Sequence, residues 1–506
     1  METSGGTVRS HTFARLTPSP QPAGDGARPE LADVGRLARR YVRRAVTAAR
    51  ADEASTYRLL ADHLGPGTAS LPVASESWHK YDHVNVQAGL DAWLADGGRE
   101  HVAHGLTGFH HMDFSFADLA QPGHVGRHLR LGNLTTAERP AGPGGVTLAC
   151  VQCAIYLVTE DSGPVALLVR GPDEHGPMQG VSVEVLSPDP DRGRQVVEEI
   201  RRLAIEHNVF RGHVVEFGGE VFDGAGGMLL RFLDRPQVPR DQVILPPAVL
   251  DGIERQVIGV ARHAERLLAS GQHLKRGVLL HGAPGTGKTH TIRYLLGQLS
   301  GVTVLIVSGE ALHLIAEACS VARTLQPAAI VVEDVDLIAE EREMGPMAGH
   351  SLLFQLLNEM DGLGADLDVT FLLTTNRADL LEPALTQRPG RVDHAALLPL
   401  PDAAARRRLL ELYRGRLQLD LAEPDLVIGR TEGVTASFIK ELLRRAALRA
   451  ADEGDGADGG ALRVTDHHLS TALDELLDTR NQLTRALLGS HPAGGSSASE
   501  AAGESS

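Results

Sequence analysis

The sequence predicts an α/β fold, a parallel sheet with helices on both faces followed by a helical lid, behind a helical and α+β N-terminal region. Three observations carry this prediction. Beyond residue 240, short apolar strands alternate with helical stretches, the pattern of a parallel sheet covered on both faces. One of those strands, Val278-Leu279-Leu280, runs into a glycine-rich turn and then a helix. Another, Ile330-Val331-Val332, ends in paired acids, Glu333-Asp334.

Taken in order, a chain of 506 residues is too long for one core and divides into two or three domains. Residues 1–30 are rich in Pro, Gly, Ser and Thr without an apolar signal core, and read as a disordered tail. Residues 31–140 read as mostly helical, with Val34, Leu37, Tyr41 and Ala45 about one turn apart, a stop at Gly65-Pro66-Gly67, and a second helical stretch, NVQAGLDAWLAD. Residues 141–240 form an α+β unit in which the strands VTLACVQCAIYLVTE, PVALLVRG and VSVEVLS precede the helical GRQVVEEIRRLAIEHN and two further strands. The prolines of RPQVPRDQVILPP separate it from the α/β unit at 241–400. Helices such as ARRRLLELYRGRL make a lid over 401–488, and 489–506 is a second low-complexity tail.

Composition removes several function classes. A formal charge of −16 argues against broad nucleic-acid binding, and the local arginines of GRLARRYVRRAVTAAR suit a solvated helix face. No run of about 18 apolar residues exists, so no membrane span is expected and a cytoplasmic location is. Cys150 and Cys153 have redox-motif spacing but lie in a β-branched run, where positions three apart face opposite sides; with Cys319 they read as buried structural cysteines. His101, His104, His110 and His111 cluster without recognisable partner ligands and read as ordinary polar side chains.

The chemistry begins at Gly282-Ala283-Pro284-Gly285-Thr286-Gly287-Lys288-Thr289, which fits G-x-x-x-x-G-K-[ST] between a strand and a helix. Such a loop turns several backbone N–H groups toward phosphates, and the helix adds its positive N-terminal end. The fold class becomes that of an α/β P-loop NTPase, with ATP and Mg²⁺ as the expected ligands. Lys288 is expected on the β and γ phosphates, Thr289 on the metal, and His290 completes the nucleotide-contacting run. The chain has four lysines, Lys80, Lys275, Lys288 and Lys440, and one stands where the loop requires it.

The acids supply the second half of the site. Strand ends in open α/β sheets deliver side chains to the ligand crevice. Glu333 is expected to hold the metal shell, and Asp334 to orient or deprotonate the attacking water. The order Glu then Asp moves each carboxylate by about one methylene and removes neither role.

At this point the sequence resembles the AAA family of ATPases within the P-loop AAA+ superfamily, as a bacterial-type member with Glu-Asp order. FLLTTNRADLLEPALTQRPGRVD, 371–393, is similar to the family's second region of homology, and LLFQLLNEMDGL to the helix before it. The resemblance spans about residues 240 to 480. It implies that Asn376 positions the water, that Arg388 and Arg391 reach a neighbouring subunit's nucleotide, and that Gly433-Val434-Thr435-Ala436 opens the lid helix. It also implies a homo-oligomeric ring, with six subunits one option, and a protein partner met through the N-terminal region. The same Glu-Asp order occurs in mitochondrial members that assemble the Rieske iron-sulfur protein.

Two departures qualify the resemblance. GEALHLIAEACSVARTLQP lacks Phe, Tyr or Trp where family members carry an aromatic pore loop, leaving Leu314-Ile315-Ala316 in that place. The N-terminal half shows no family motif and no metalloprotease H-E-x-x-H. Two classes follow: an oligomeric ATPase that remodels a protein, or a nucleotide-dependent scaffold or switch with little turnover.

Overall fold

The computed structural model describes residues 56–108, 114–121, 129–173, 180–218, 230–336, 352–364, 366–377, 391–454 and 461–477. Eight strands come first: β1 (Val73–Trp78), β2 (Glu100–Thr107), β3 (Arg130–Gly132), β4 (Thr136–Pro140), β5 (Thr147–Val151), β6 (Cys153–Glu160), β7 (Gly163–Arg170) and β8 (Val181–Leu186). Six of them pair antiparallel in the order β1-β8-β7-β6-β2-β3, while β4 and β5 form a separate ribbon.

This sheet corrects the expectation of a mostly helical 31–140. Strands β1 to β4 lie inside that range, and β1 and β2 pair with β8 and β6 from the segment assigned to the next unit. The two expected regions thus form one antiparallel domain, because neither half can satisfy its strand edges alone. Helices His83–Ala95 and Pro190–Glu206 cover one face, where Val86, Leu90, Trp93, Val196 and Ile200 pack on the alternating residues of β6 to β8. They cross closely at Gly89, where a Cβ would lie 2.6 Å from the Ala204 nitrogen. The opposite face buries Leu60, Phe114, Phe116 and Leu129. The residues 31–55 of the first expected helix lie outside the described residues.

Seven strands build the second sheet: β9 (Val214–Phe217), β10 (Leu230–Leu233), β11 (Arg276–His281), β12 (Thr303–Val307), β13 (Ala328–Val332), β14 (Val369–Thr375) and β15 (His394–Leu397), in the order β10-β9-β12-β13-β14-β11-β15. All pairs are parallel except the edge pair β10 and β9. The expected boundary at 240 therefore falls too late. Strand β9 pairs with β12, Val304 opposite Val214, so Val214–Leu233 extends the nucleotide-site sheet. One face packs on helices Ile315–Thr324 and Leu352–Gly362, the other on the helix Lys288–Gln298 and the segment 247–257. Strands β13 and β14 are buried along their whole length, as a sheet covered on both faces requires.

Helices Ala403–Tyr413, Pro424–Arg430, Ala436–Asp452 and Asp466–Leu477 enclose the lid core around Phe438, Leu442 and Leu473, braced by the short parallel pair β16 (Gln418–Asp420) and β17 (Arg463–Thr465). The Pro-rich linker is part of the packing: Val243 and Leu245 are buried under the large sheet, while Ile244 packs on the lid core. Tyr81 and Val84 of the N-terminal domain share a core with Phe217 and Leu305, and the Val209 N–H donates to Asn85 Oδ1 at 3.0 Å.

Leu314-Ile315-Ala316 is not the exposed loop its place in the sequence suggests. A 3-10 turn, Gly309–Leu314, runs directly into the helix Ile315–Thr324, and Ile315 is 2 % exposed. Without an aromatic tip to project, the apolar side chains of this segment turn into the core. Among the described residues, no helix is long and apolar enough to cross a membrane.

Candidate nucleotide site

The site forms at the C-terminal ends of β11, β13 and β14. Strand β11 ends at His281, and the turn that follows needs backbone conformations closed to most side chains: φ is 146° at Gly282, 79° at Gly285 and 99° at Gly287. A Cβ on Gly282 would sit 2.5 Å from the Leu398 carbonyl oxygen, and one on Gly285 would meet Thr435 Oγ1 at 2.9 Å. Ser437 N–H donates to the Gly285 carbonyl at 3.2 Å, so the lid touches the loop through backbone. Gly287 caps the helix Lys288–Gln298 without a side-chain bond, which leaves its first N–H groups for an anion. Thr289 is exposed on the first turn, beside His290, whose Nε2 donates to the Gln242 carbonyl at 3.2 Å. Ala283 and Pro284 complete the cradle, and Thr286 closes it by donating through Oγ1 to the Ala283 carbonyl at 2.9 Å.

Lys288 is 7 % exposed, and its ammonium donates to the carbonyls of Gly282 (2.8 Å) and Ala283 (3.1 Å) and to Asn376 Oδ1 (2.7 Å). Burial pulls its pKa down, against the opposing pull of the Asp334 and Asp336 charges. Asn376 follows β14 and donates through Nδ2 to Asp334 Oδ1 at 3.3 Å. Asp334 has φ of 51°, a left-handed conformation rare outside glycine, and its N–H donates to Thr374 Oγ1 at 3.0 Å. Lys288, Asn376 and Asp334 thus form one hydrogen-bonded chain.

Glu333 lies elsewhere. Burial raises its carboxyl pKa, the neighbouring Asp334 adds to the rise, Arg293 opposes it and Glu216 adds again. It feels the charges of Glu216 on β9 and of Arg293, whereas Asp334 is linked to Lys288 through Asn376. Thr289 and Glu333 are hard oxygen donors, and Mg²⁺ held with a nucleotide needs one or two such protein groups. Among the described residues, no group of three or more His, Cys, Asp or Glu could hold a metal by itself.

Arg391, expected at a neighbouring subunit's nucleotide, is engaged within its own chain. It is 7 % exposed, and its Nε and Nη2 donate to the Asp361 carboxylate at 3.0 and 2.7 Å within the same chain. A guanidinium held by two bonds to its own fold is committed there, which raises its pKa and fixes the strand entering β15. Arg388 lies outside the described residues. Sequence reasoning passed over Asp336, which is 6 % exposed and accepts from Thr375 Oγ1 and the Asn376 N–H. Its signal was present in VVEDVD, as an acid two positions beyond Asp334. The cysteines are free and buried, and burial pushes each thiol up to about 12.

Residues 278–400 match the family model of the ATPase family associated with various cellular activities (AAA). The chain is 31% identical over 235 residues to an ATP-dependent zinc metalloprotease FtsH of Acidimicrobium ferrooxidans, covering 44% of this chain and 35% of that protein. It is 33% identical over 234 residues to the human ATPase family gene 2 protein homolog A (44% and 26%), and 31% identical over 234 residues to the Drosophila melanogaster ATP-dependent zinc metalloprotease YME1L (44% and 30%). The chain thus spans between about a quarter and about a third of the length of these relatives.

Proposed function

Given that the chain carries an ATPase domain of the AAA family over residues 278–400, we propose that it binds ATP with Mg²⁺ and hydrolyses it to ADP and phosphate. It does so as a homo-oligomer in the cytoplasm, and the cycle remodels a protein partner met through the N-terminal domain. The observation that carries this reading is the hydrogen-bonded chain Lys288, Asn376, Asp334 beside an uncapped helix N-terminus.

Lys288 exchanges its loop carbonyls for the β and γ phosphates, and the backbone N–H groups of Gly285 to Thr289 hold the remaining oxygens. Thr289 and Glu333 would hold Mg²⁺, which when bound would neutralise charge on the phosphates. Asp334 orients the water and accepts its proton as the oxygen attacks phosphorus and the bond to ADP breaks. Asn376 keeps that water in line. Arg388 of the neighbouring subunit completes the charge balance, while Arg391 serves by anchoring its own segment on Asp361.

Steady-state hydrolysis against protein concentration, with sizing in ATP and Mg²⁺, tests this for wild type and Arg388→Ala. An arginine finger supplies on the order of a thousandfold in rate. Turnover should rise with assembly and collapse in the variant. A wild type that binds ATP and assembles without turnover would instead support the scaffold reading, which the burial of Ile315 at the pore-loop place favours.

A further inference from the structure

We propose that Asp336 is the positioning residue that sets Asn376, and through it Lys288 and Asp334, in register for a γ-phosphate. This rests on the ATP-binding reading above. Both ends of the Asn376 side chain are engaged, Oδ1 by Lys288 and Nδ2 by Asp334, so the backbone at 376 decides where the pair meets. That backbone lies one residue past the end of β14 and its N–H donates at 3.2 Å to Asp336 Oδ1, not to a neighbouring strand. The same oxygen accepts from Thr375 Oγ1 at 2.9 Å, and Thr375 Oγ1 in turn accepts from the Arg377 N–H at 3.0 Å. Thr375 is fully buried and Asp336 nearly so. Ending a strand needs only a neutral acceptor, whereas burying a carboxylate carries a desolvation cost. What Asp336 adds is a single oxygen that accepts from two donors at once, with its charge near the Lys288 ammonium.

The test is titration calorimetry on the full chain with ADP and with ATPγS, both with Mg²⁺, for wild type, Asp336→Ala, Asp336→Asn, Asn376→Ala and the Asp336→Ala/Asn376→Ala double variant. Asp336→Ala should weaken ATPγS about tenfold and ADP less than about twofold, the worth of one well-placed hydrogen bond. Asn376→Ala should match it, and the double variant should be no worse than Asn376→Ala. Asp336→Asn, whose Oδ1 accepts both donors, should recover most of the loss. An unchanged ATPγS preference in Asp336→Ala, or losses that add fully in the double variant, would overturn the proposal. Should Asp336→Ala fail to fold by circular dichroism, Thr375→Val removes one donor and should shift the same preference about threefold; no shift there would count against it. Wild type that binds neither nucleotide would sink the ATP reading and this inference together. Wild type that prefers ATPγS but turns nothing over would remove only hydrolysis.

Discussion

The N-terminal sheet and the nucleotide-site sheet both bury charge, and they treat it in opposite ways. In the first, Glu160 takes bonds from Arg99 (2.7 Å) and Arg192 (2.7 and 2.8 Å), and Glu199 takes Arg192 and the Trp93 indole. Burial would raise the Glu160 carboxyl, but those guanidiniums hold it at about 2. Glu184 is likewise closed, by Arg170 and by the Phe116 N–H at 2.7 Å. In the second sheet, Lys288 rests on backbone carbonyls, burial and then the Asp334 charge raise the Glu333 carboxyl, and Asp334 is held in a left-handed conformation. Completed networks fix a fold. A cation held on neutral carbonyl and amide oxygens, with no carboxylate bonded to it, keeps the capacity to exchange them for a stronger anionic partner.

Substitutions can break this contrast, and the largest effects fall in the second sheet. Lys288→Ala should abolish ATP binding in equilibrium titration while leaving the thermal midpoint close to wild type; tight binding by this variant would refute its role. Asp334→Asn should keep ATP affinity and reduce turnover by about a thousandfold, within the range of general-base catalysis. Normal turnover there would remove Asp334 from the mechanism.

Smaller effects belong to the closed networks. Glu184→Ala leaves Arg170 buried without its carboxylate and should cost about 3 kcal/mol in denaturant unfolding, with nucleotide affinity unchanged. A matching loss of affinity would mean that the two sheets are coupled more tightly than the contrast allows.

The smallest effect is in pH. His83 is buried, its Nε2 bonds the Val151 carbonyl at 2.8 Å, and Nδ1 has no partner; burial lowers its pKa to about 4. Its contribution is present above the unfolded value near 6.5 and is lost as pH falls toward 4. Neighbouring Asp82, raised by burial to about 6, acts with the opposite sign: it favours the folded state at low pH and loses that contribution as pH rises through 6. Wild type should therefore show a shallow slope between pH 4 and 6.5, and His83→Gln should become more stable as pH falls through 6. A flat profile in that variant would show that Asp82 does not titrate as its burial implies.

The nucleotide site was legible in the sequence because its chemistry is local. A strand, a glycine turn and a lysine in one run of Val278 to Thr289 specify an anion cradle wherever they fold, and Ile330 to Asp334 announces its own strand end. The lid helices and the parallel sheet were legible from period and burial for the same reason. The N-terminal domain was not, since β1 pairs with β8 more than a hundred residues away and helical period near residue 83 hides the strands on either side.

What the sequence alone determined is thus the set of groups gathered at the glycine-rich loop, since spacing along one chain is enough to bring Lys288 and Thr289 together there. Only the tertiary structure decided which groups meet across elements. It gave β9 to the second sheet, turned Arg391 inward onto Asp361, buried Ile315, and brought Asp336 against the amide of Asn376. Each depends on contacts between residues distant in sequence, where pairing and burial outweigh local pattern.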